Sequence, residues 1–135
     1  MRIRFHGAAG QVTGSLHEVL TERHRVLLDC GLIQGSRADE AHNADAFPFE
    51  PASVDAVVLS HAHLDHCGRL PRLVQQGFDG PIWTHPATAD LLRIMLEDAA
   101  AIAQADAERA NRHREEGEPV DQPLFTREDV EAVLA

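Results

Sequence analysis

Four side chains able to bind a metal ion fall in the run His61-Ala62-His63-Leu64-Asp65-His66: His61, His63, Asp65 and His66. Imidazole nitrogen and carboxylate oxygen together suit a borderline-soft cation such as zinc, with manganese or iron as alternatives, whereas magnesium and calcium prefer oxygen alone. On an extended backbone, residues two apart share a side. His61 and His63 can therefore grip one ion while Asp65 and His66 turn toward a second position. Two ions about 3.5–4 Å apart can hold a hydroxide between them and stabilise a leaving oxygen, which suits phosphoester or amide hydrolysis. Four side chains do not complete two tetrahedral shells, so further ligands must come from elsewhere. The other histidines, His6, His17, His24, His42, His85 and His113, form no second cluster and each reads as a surface or structural residue. Cys67, directly after the run, reads as a small buried residue packed beneath the loop.

The elements that must position this cluster are legible around it. Val54 to Ser60 is an apolar run that reads as a buried strand delivering its end to the ligands. Gly68 to Gln76 carries Leu70, Leu73 and Val74 at helical spacing, so strand, ligand loop and helix follow in order. Upstream, Arg2 to Phe5 alternates polar and apolar, and Ser15–Glu22 with Arg25–Asp29 reads as a hairpin around Arg23-His24. The glycine-rich stretch Gly7 to Gly14 is a loop that can bring backbone amides near a ligand, though its spacing fits neither nucleotide-binding fingerprint.

From Gly31 to Pro51 periodicity is lost and a long loop is expected. Pro81 to Thr84 reads as a short strand with Trp83 in the core, and His85 as a cap or packing residue at the next helix start. That helix is expected from Pro86 to about Glu116, its buried stripe made by Leu92, Met95, Leu96, Ala99 and Ile102, with Gly117 ending it. Its charged residues read as a solvated face. Thr126 with Asp129 three residues on resembles a capping box, so a last helix is expected from about Arg127.

At 135 residues the chain suits a single domain with one core. Cys30 and Cys67 are too few for a disulfide framework and read as reduced thiols. No apolar run is long enough for a membrane span and no signal peptide is evident, so a soluble cytoplasmic protein without membrane contact is expected. The formal net charge of -10 argues against a basic nucleic-acid-binding surface. It does not exclude a nucleic-acid substrate, because divalent ions attract phosphates even on an acidic protein.

The run His61, His63, Asp65, His66 matches the H-x-H-x-D-H signature, and with it the chain resembles the metallo-β-lactamase superfamily. Three stretches narrow the resemblance to the β-CASP branch of RNA-processing nucleases: Gly7 to Ser15, Leu27 to Gly35, and Ser60 to Pro71. The resemblance implies an α/β fold, a mixed β-sheet with flanking helices forming half of an αββα sandwich. It implies that His61 and His63 hold a first zinc, that Asp65 and His66 hold a second, and that Asp65 belongs to the catalytic set. On residue type alone Asp29 is equally a turn residue ending a strand. The resemblance implies that it orients the metal loop from behind.

The implied activity is zinc-dependent hydrolysis of RNA phosphodiesters by a hydroxide held between two ions, in an endonuclease or an exonuclease. Alternatives are a superfamily hydrolase of thioesters, lactones or lactams, or an inactive interaction fragment with a partial metal site. The family draws further ligands from segments later than Ala135 and clamps RNA with an inserted domain. Residues 1–135 are therefore expected to be an amino-terminal portion of the metallo-β-lactamase domain, inactive alone, with its inner sheet face seeking a partner. A homodimer is among the partners expected.

Overall fold

The computed structural model describes residues 1–135. Five strands form one mixed sheet in the order β1 (Arg2–Phe5), β2 (His17–Leu20), β3 (Arg25–Leu28), β4 (Ala56–Val58), β5 (Ile82–Trp83). The first three are antiparallel neighbours, β2 and β3 forming the expected hairpin, and β3–β4 and β4–β5 are parallel. Parallel pairing needs a crossover, and the two crossovers carry the helices. These are α1 (Arg37–Ala41) between β3 and β4, then α2 (Leu64–Cys67) and α3 (Leu70–Gln75) between β4 and β5. The chain finishes with α4 (Pro86–Arg112) and α5 (Arg127–Leu134).

Leu27 and Val57 are paired positions with no solvent exposure, and they root a core completed by Leu70 and Leu73 of α3, Leu92 and Leu96 of α4, Phe125, and Val130 of α5. Each such side chain contributes roughly 1.5–3 kcal/mol by leaving water, so the helical layer is bound to one face of the sheet. The opposite face is bare. Phe5, His17, Leu28, Val58 and Trp83 are successive register partners across all five strands, and side chains at paired positions point the same way. Of these, Phe5 and Trp83 are 64% exposed, Val58 43% and Leu28 37%.

That geometry corrects the expectation for Trp83: it follows Ile82, which faces the helices, so the alternation of the strand sends it to the uncovered side. Ile102 is likewise exposed, because the buried stripe of α4 runs through Leu92, Leu96, Ala100 and Ala107. The helix stops at Arg112 with His113 as its C-cap, ahead of Gly117. The stretch from Gly31 to Pro51 is not a plain loop. Ser36 and Asp39 form a reciprocal capping box that starts α1, the same device that Thr126 and Asp129 supply for α5. The middle of this stretch is tied to α3, since Arg69 donates to the Asp45 carbonyl at 3.0 Å with its guanidinium 4.2 Å over the Phe47 ring.

Candidate metal centre

The run His61 to His66 lies where β4 ends. Val58 closes the strand, Ser60 to Ala62 is irregular, and His63 is the N-cap of α2 in extended conformation. The extended geometry that would set His61 and His63 on one side does not persist past the strand: a strand-to-helix turn takes its place and gathers the rings. The His61 and His63 ring centroids are 4.8 Å apart, those of His61 and His66 4.0 Å, and Asp65 Oδ2 lies 3.5 Å from His66 Nε2. His63 is exposed; His61, Asp65 and His66 are half-buried.

Backbone contacts hold this turn from behind. The carbonyls of Leu64, Asp65 and His66 accept hydrogen bonds from the amides of Leu32, Ser15 and Cys30, each at 2.8 Å. Such close approach demands glycine at position 31, where a Cβ would lie 1.7 Å from the Asp65 carbonyl oxygen. Cys30 and Cys67 fill the space beneath, both fully buried, and burial pushes both thiols up to about 12.

Asp29 is the hub. It sits just after β3 with φ of 61°, in the left-handed region that Asp tolerates better than most residues. Its Oδ1 accepts from the Ser60 amide at 2.8 Å. Its Oδ2 lies 2.7 Å from His66 Nδ1 and accepts from the Ser15 and Ser60 hydroxyls, each at 3.0 Å. Burial pushes its carboxyl up. The bonds from His66, the Ser60 amide and hydroxyl, and Ser15 outweigh that and hold the carboxyl below the usual range. The sequence does not mark Ser15 and Ser60, because a serine beside a motif carries no signal until the fold places its hydroxyl.

The donor set fits a borderline cation in type: three imidazoles and a carboxylate gathered around one turn, with His66 Nδ1 turned to Asp29 and its Nε2 on the side of Asp65. It is short in number. No group of three or more His, Cys, Asp or Glu side chains is converged so that it could hold an ion as it stands. His85, by contrast, accepts the Ala87 amide at the start of α4, and His24 and His42 face Asp55 and Asp45 on the surface.

The structure thus carries a histidine–aspartate turn at the end of β4, an inner strand of a mixed sheet flanked by helices, with a buried aspartate behind it. Residues 10–134 match the Metallo-beta-lactamase superfamily, and the chain belongs to it. The chain is 46% identical over 134 residues to Ribonuclease TTHA0252 of Thermus thermophilus, covering 99% of this chain and 27% of that protein. It is 38% identical over 106 residues to Transcription termination factor FttA of Methanocaldococcus jannaschii, covering 78% and 17%, and 37% identical to Probable RNase MJ4 of the same organism, covering 78% and 24%. These relatives are β-CASP-type members, in agreement with the three sequence stretches. The chain thus spans about a quarter or less of the length of the curated relatives named. Among solved structures, the human short-form tRNase Z aligns at 21% identity and a TM-score of 0.46 over 72% of this chain and 39% of its own.

Proposed function

We propose that the chain is the metal-bearing amino-terminal portion of a β-CASP-type ribonuclease that hydrolyses RNA phosphodiester bonds. One observation carries the reading: the His61–His66 turn is clamped from behind by Asp29 and by the amides of Ser15, Cys30 and Leu32. A turn of four ligand-type residues that only needed to satisfy itself would not require such a frame. The names of the relatives support RNA as the substrate class.

In this reading His61 and His63 hold one zinc, Asp65 and His66 hold a second, and Asp65 stands in the catalytic set. When bound, two such ions supply a water-derived nucleophile at neutral pH and stabilise the leaving oxygen. The rest is done by the protein. Asp29 turns His66 so that its Nε2 faces the site, the amide clamp fixes the backbone of Asp65, and the buried cysteines keep water from beneath the turn.

The remaining ligands and the RNA clamp are assigned to other parts of the full-length protein. The bare sheet face and the share of the relatives that the chain spans both support this assignment. The 135-residue chain is expected to bind zinc weakly and to cleave no RNA by itself. The test is RNA cleavage by the full-length protein and its His63→Ala variant, run beside small thioester and lactone substrates. Loss of RNA cleavage in the variant is expected, and undiminished cleavage would sink the metal assignment. Turnover of the small esters without RNA cleavage would move the protein to the alternative hydrolase class.

A further inference from the structure

The Ser60 hydroxyl occupies a position that the ligand assignment leaves unexplained. Its oxygen lies 3.0 Å from His61 Nδ1, 3.0 Å from Asp29 Oδ2 and 3.3 Å from His66 Nδ1. A hydroxyl has one proton to give, and an ionised carboxylate can only accept. Were the Ser60 proton given to His61, its oxygen would face Asp29 Oδ2 at hydrogen-bond distance, acceptor against acceptor. With the proton given to Asp29, the Ser60 oxygen is free to accept, and the neighbour able to donate is His61 through an Nδ1–H. His66 is already provided for, since its Nδ1 lies closer to Asp29, at 2.7 Å.

We propose that Ser60 is a positioning residue that relays the hold of Asp29 to His61: His61 Nδ1–H donates to Ser60 Oγ, and Ser60 Oγ–H donates to Asp29 Oδ2. One buried carboxylate thereby sets the tautomer of two ligand histidines, His66 directly and His61 through a hydroxyl. Both rings are left with an unprotonated Nε2 as the only nitrogen able to take a metal. His63 has no such partner, being an exposed helix cap without a side-chain hydrogen bond. The fixed and the free imidazoles therefore divide the site: His61 and His66 are preset, and His63 adapts to the ion. The inference rests on the reading of His61 and His66 as ligands, but the tautomer itself can be read without any metal.

The experiment is long-range proton–nitrogen NMR of the histidine-labelled 135-residue chain, metal-free, at about pH 8, where ordinary imidazoles are neutral. It is paired with zinc titration against a chromogenic chelator. In the wild type the His61 signals should show Nδ1 protonated and Nε2 bare. Ser60→Ala should shift His61 toward the Nε2–H form that free imidazole favours, leave His66 as Nδ1–H, and weaken zinc binding about 10-fold, the lower end for loss of an orienting partner. Ser60→Thr, which keeps the hydroxyl, should restore both. A wild-type His61 protonated on Nε2 would overturn the proposal even if the Ala variant did not fold, as would a folded Ser60→Ala chain with unchanged tautomer and zinc affinity. The expected tautomers in a wild-type chain that binds no zinc would support the relay and count against the metal reading.

Discussion

Replacing Gly31 by Ala tests the frame behind the ligand turn with a single methyl group. Gly31 has no positive φ, so alanine is conformationally acceptable there and the effect is purely one of space. The added Cβ would sit 1.7 Å from the Asp65 oxygen, 2.2 Å from its carbonyl carbon and 2.7 Å from the His66 nitrogen, all of them backbone atoms that cannot swing aside. Reaching even a 3.0 Å contact requires the two segments to part by about 1.3 Å. The hydrogen bonds from Ser15, Cys30 and Leu32, now 2.8 Å, cannot survive that separation. At about 1 kcal/mol each their loss amounts to about 3 kcal/mol, or a urea midpoint lower by about 1–3 M for a small domain. Because Asp65 is displaced with the turn, zinc affinity should fall as well. Urea denaturation followed by circular dichroism, with a chelator-competition titration, measures both. A variant with the wild-type midpoint and the wild-type affinity would refute the claim that close backbone packing positions the ligands.

Three further outcomes follow from the same geometry. The Asp29 carboxyl is held below its usual range in the fold. Its contribution to stability is therefore fully present above its unfolded pKa of about 4 and is lost as pH falls through the lower folded value; Asp29→Asn should flatten the acid limb of urea midpoint against pH, and an unaltered limb would contradict this. Cys30 and Cys67, with thiols pushed up to about 12 by burial, should resist iodoacetamide at pH 8 in the native chain, with on the order of a thousandfold less thiolate than an ordinary thiol, and react once urea unfolds it; rapid native alkylation would mean that the space under the turn is open. Trp83, 64% exposed, should show long-wavelength emission and near-complete acrylamide quenching in the 135-residue chain, whereas blue, shielded emission would show the outer sheet face to be covered.

Much of this protein is local and therefore visible in its order of residues. The hairpin β2–β3, the strand before the cluster, the helix after it and the Thr126 capping box each depend on periodicity or on side chains three residues apart. The Ser36–Asp39 box was legible by the same rule but was masked by the polar composition around it. Where local pattern failed, a choice between faces decided the outcome. Trp83 is apolar and sits in a strand, but only the side to which the helices dock determines whether an apolar strand residue is core. Ile102 differs in the same way, because hydrophobicity marks apolar positions on a helix without saying which face is covered: the buried stripe continues through Ala100 and Ala107 and leaves Ile102 outside it.

The candidate site divides along the same line. His61, His63, Asp65 and His66 suggest their chemistry within six consecutive residues, because metal affinity is a property of side-chain type and the proposed ligands are neighbours in sequence. Their orientation is another matter. It depends on Asp29, which lies 37 residues before His66, on Ser15, 14 residues before Asp29, and on amides from two separate loops. Hydrogen bonds reach about 3 Å while the chain separates their partners by tens of residues, so only the folded backbone brings them together. The sequence by itself determined the family and named the residue types from which a chemistry is proposed. The tertiary structure decided what stands behind the turn, the Asp29 carboxylate with the Ser15 and Ser60 hydroxyls, and it left one face of the sheet uncovered.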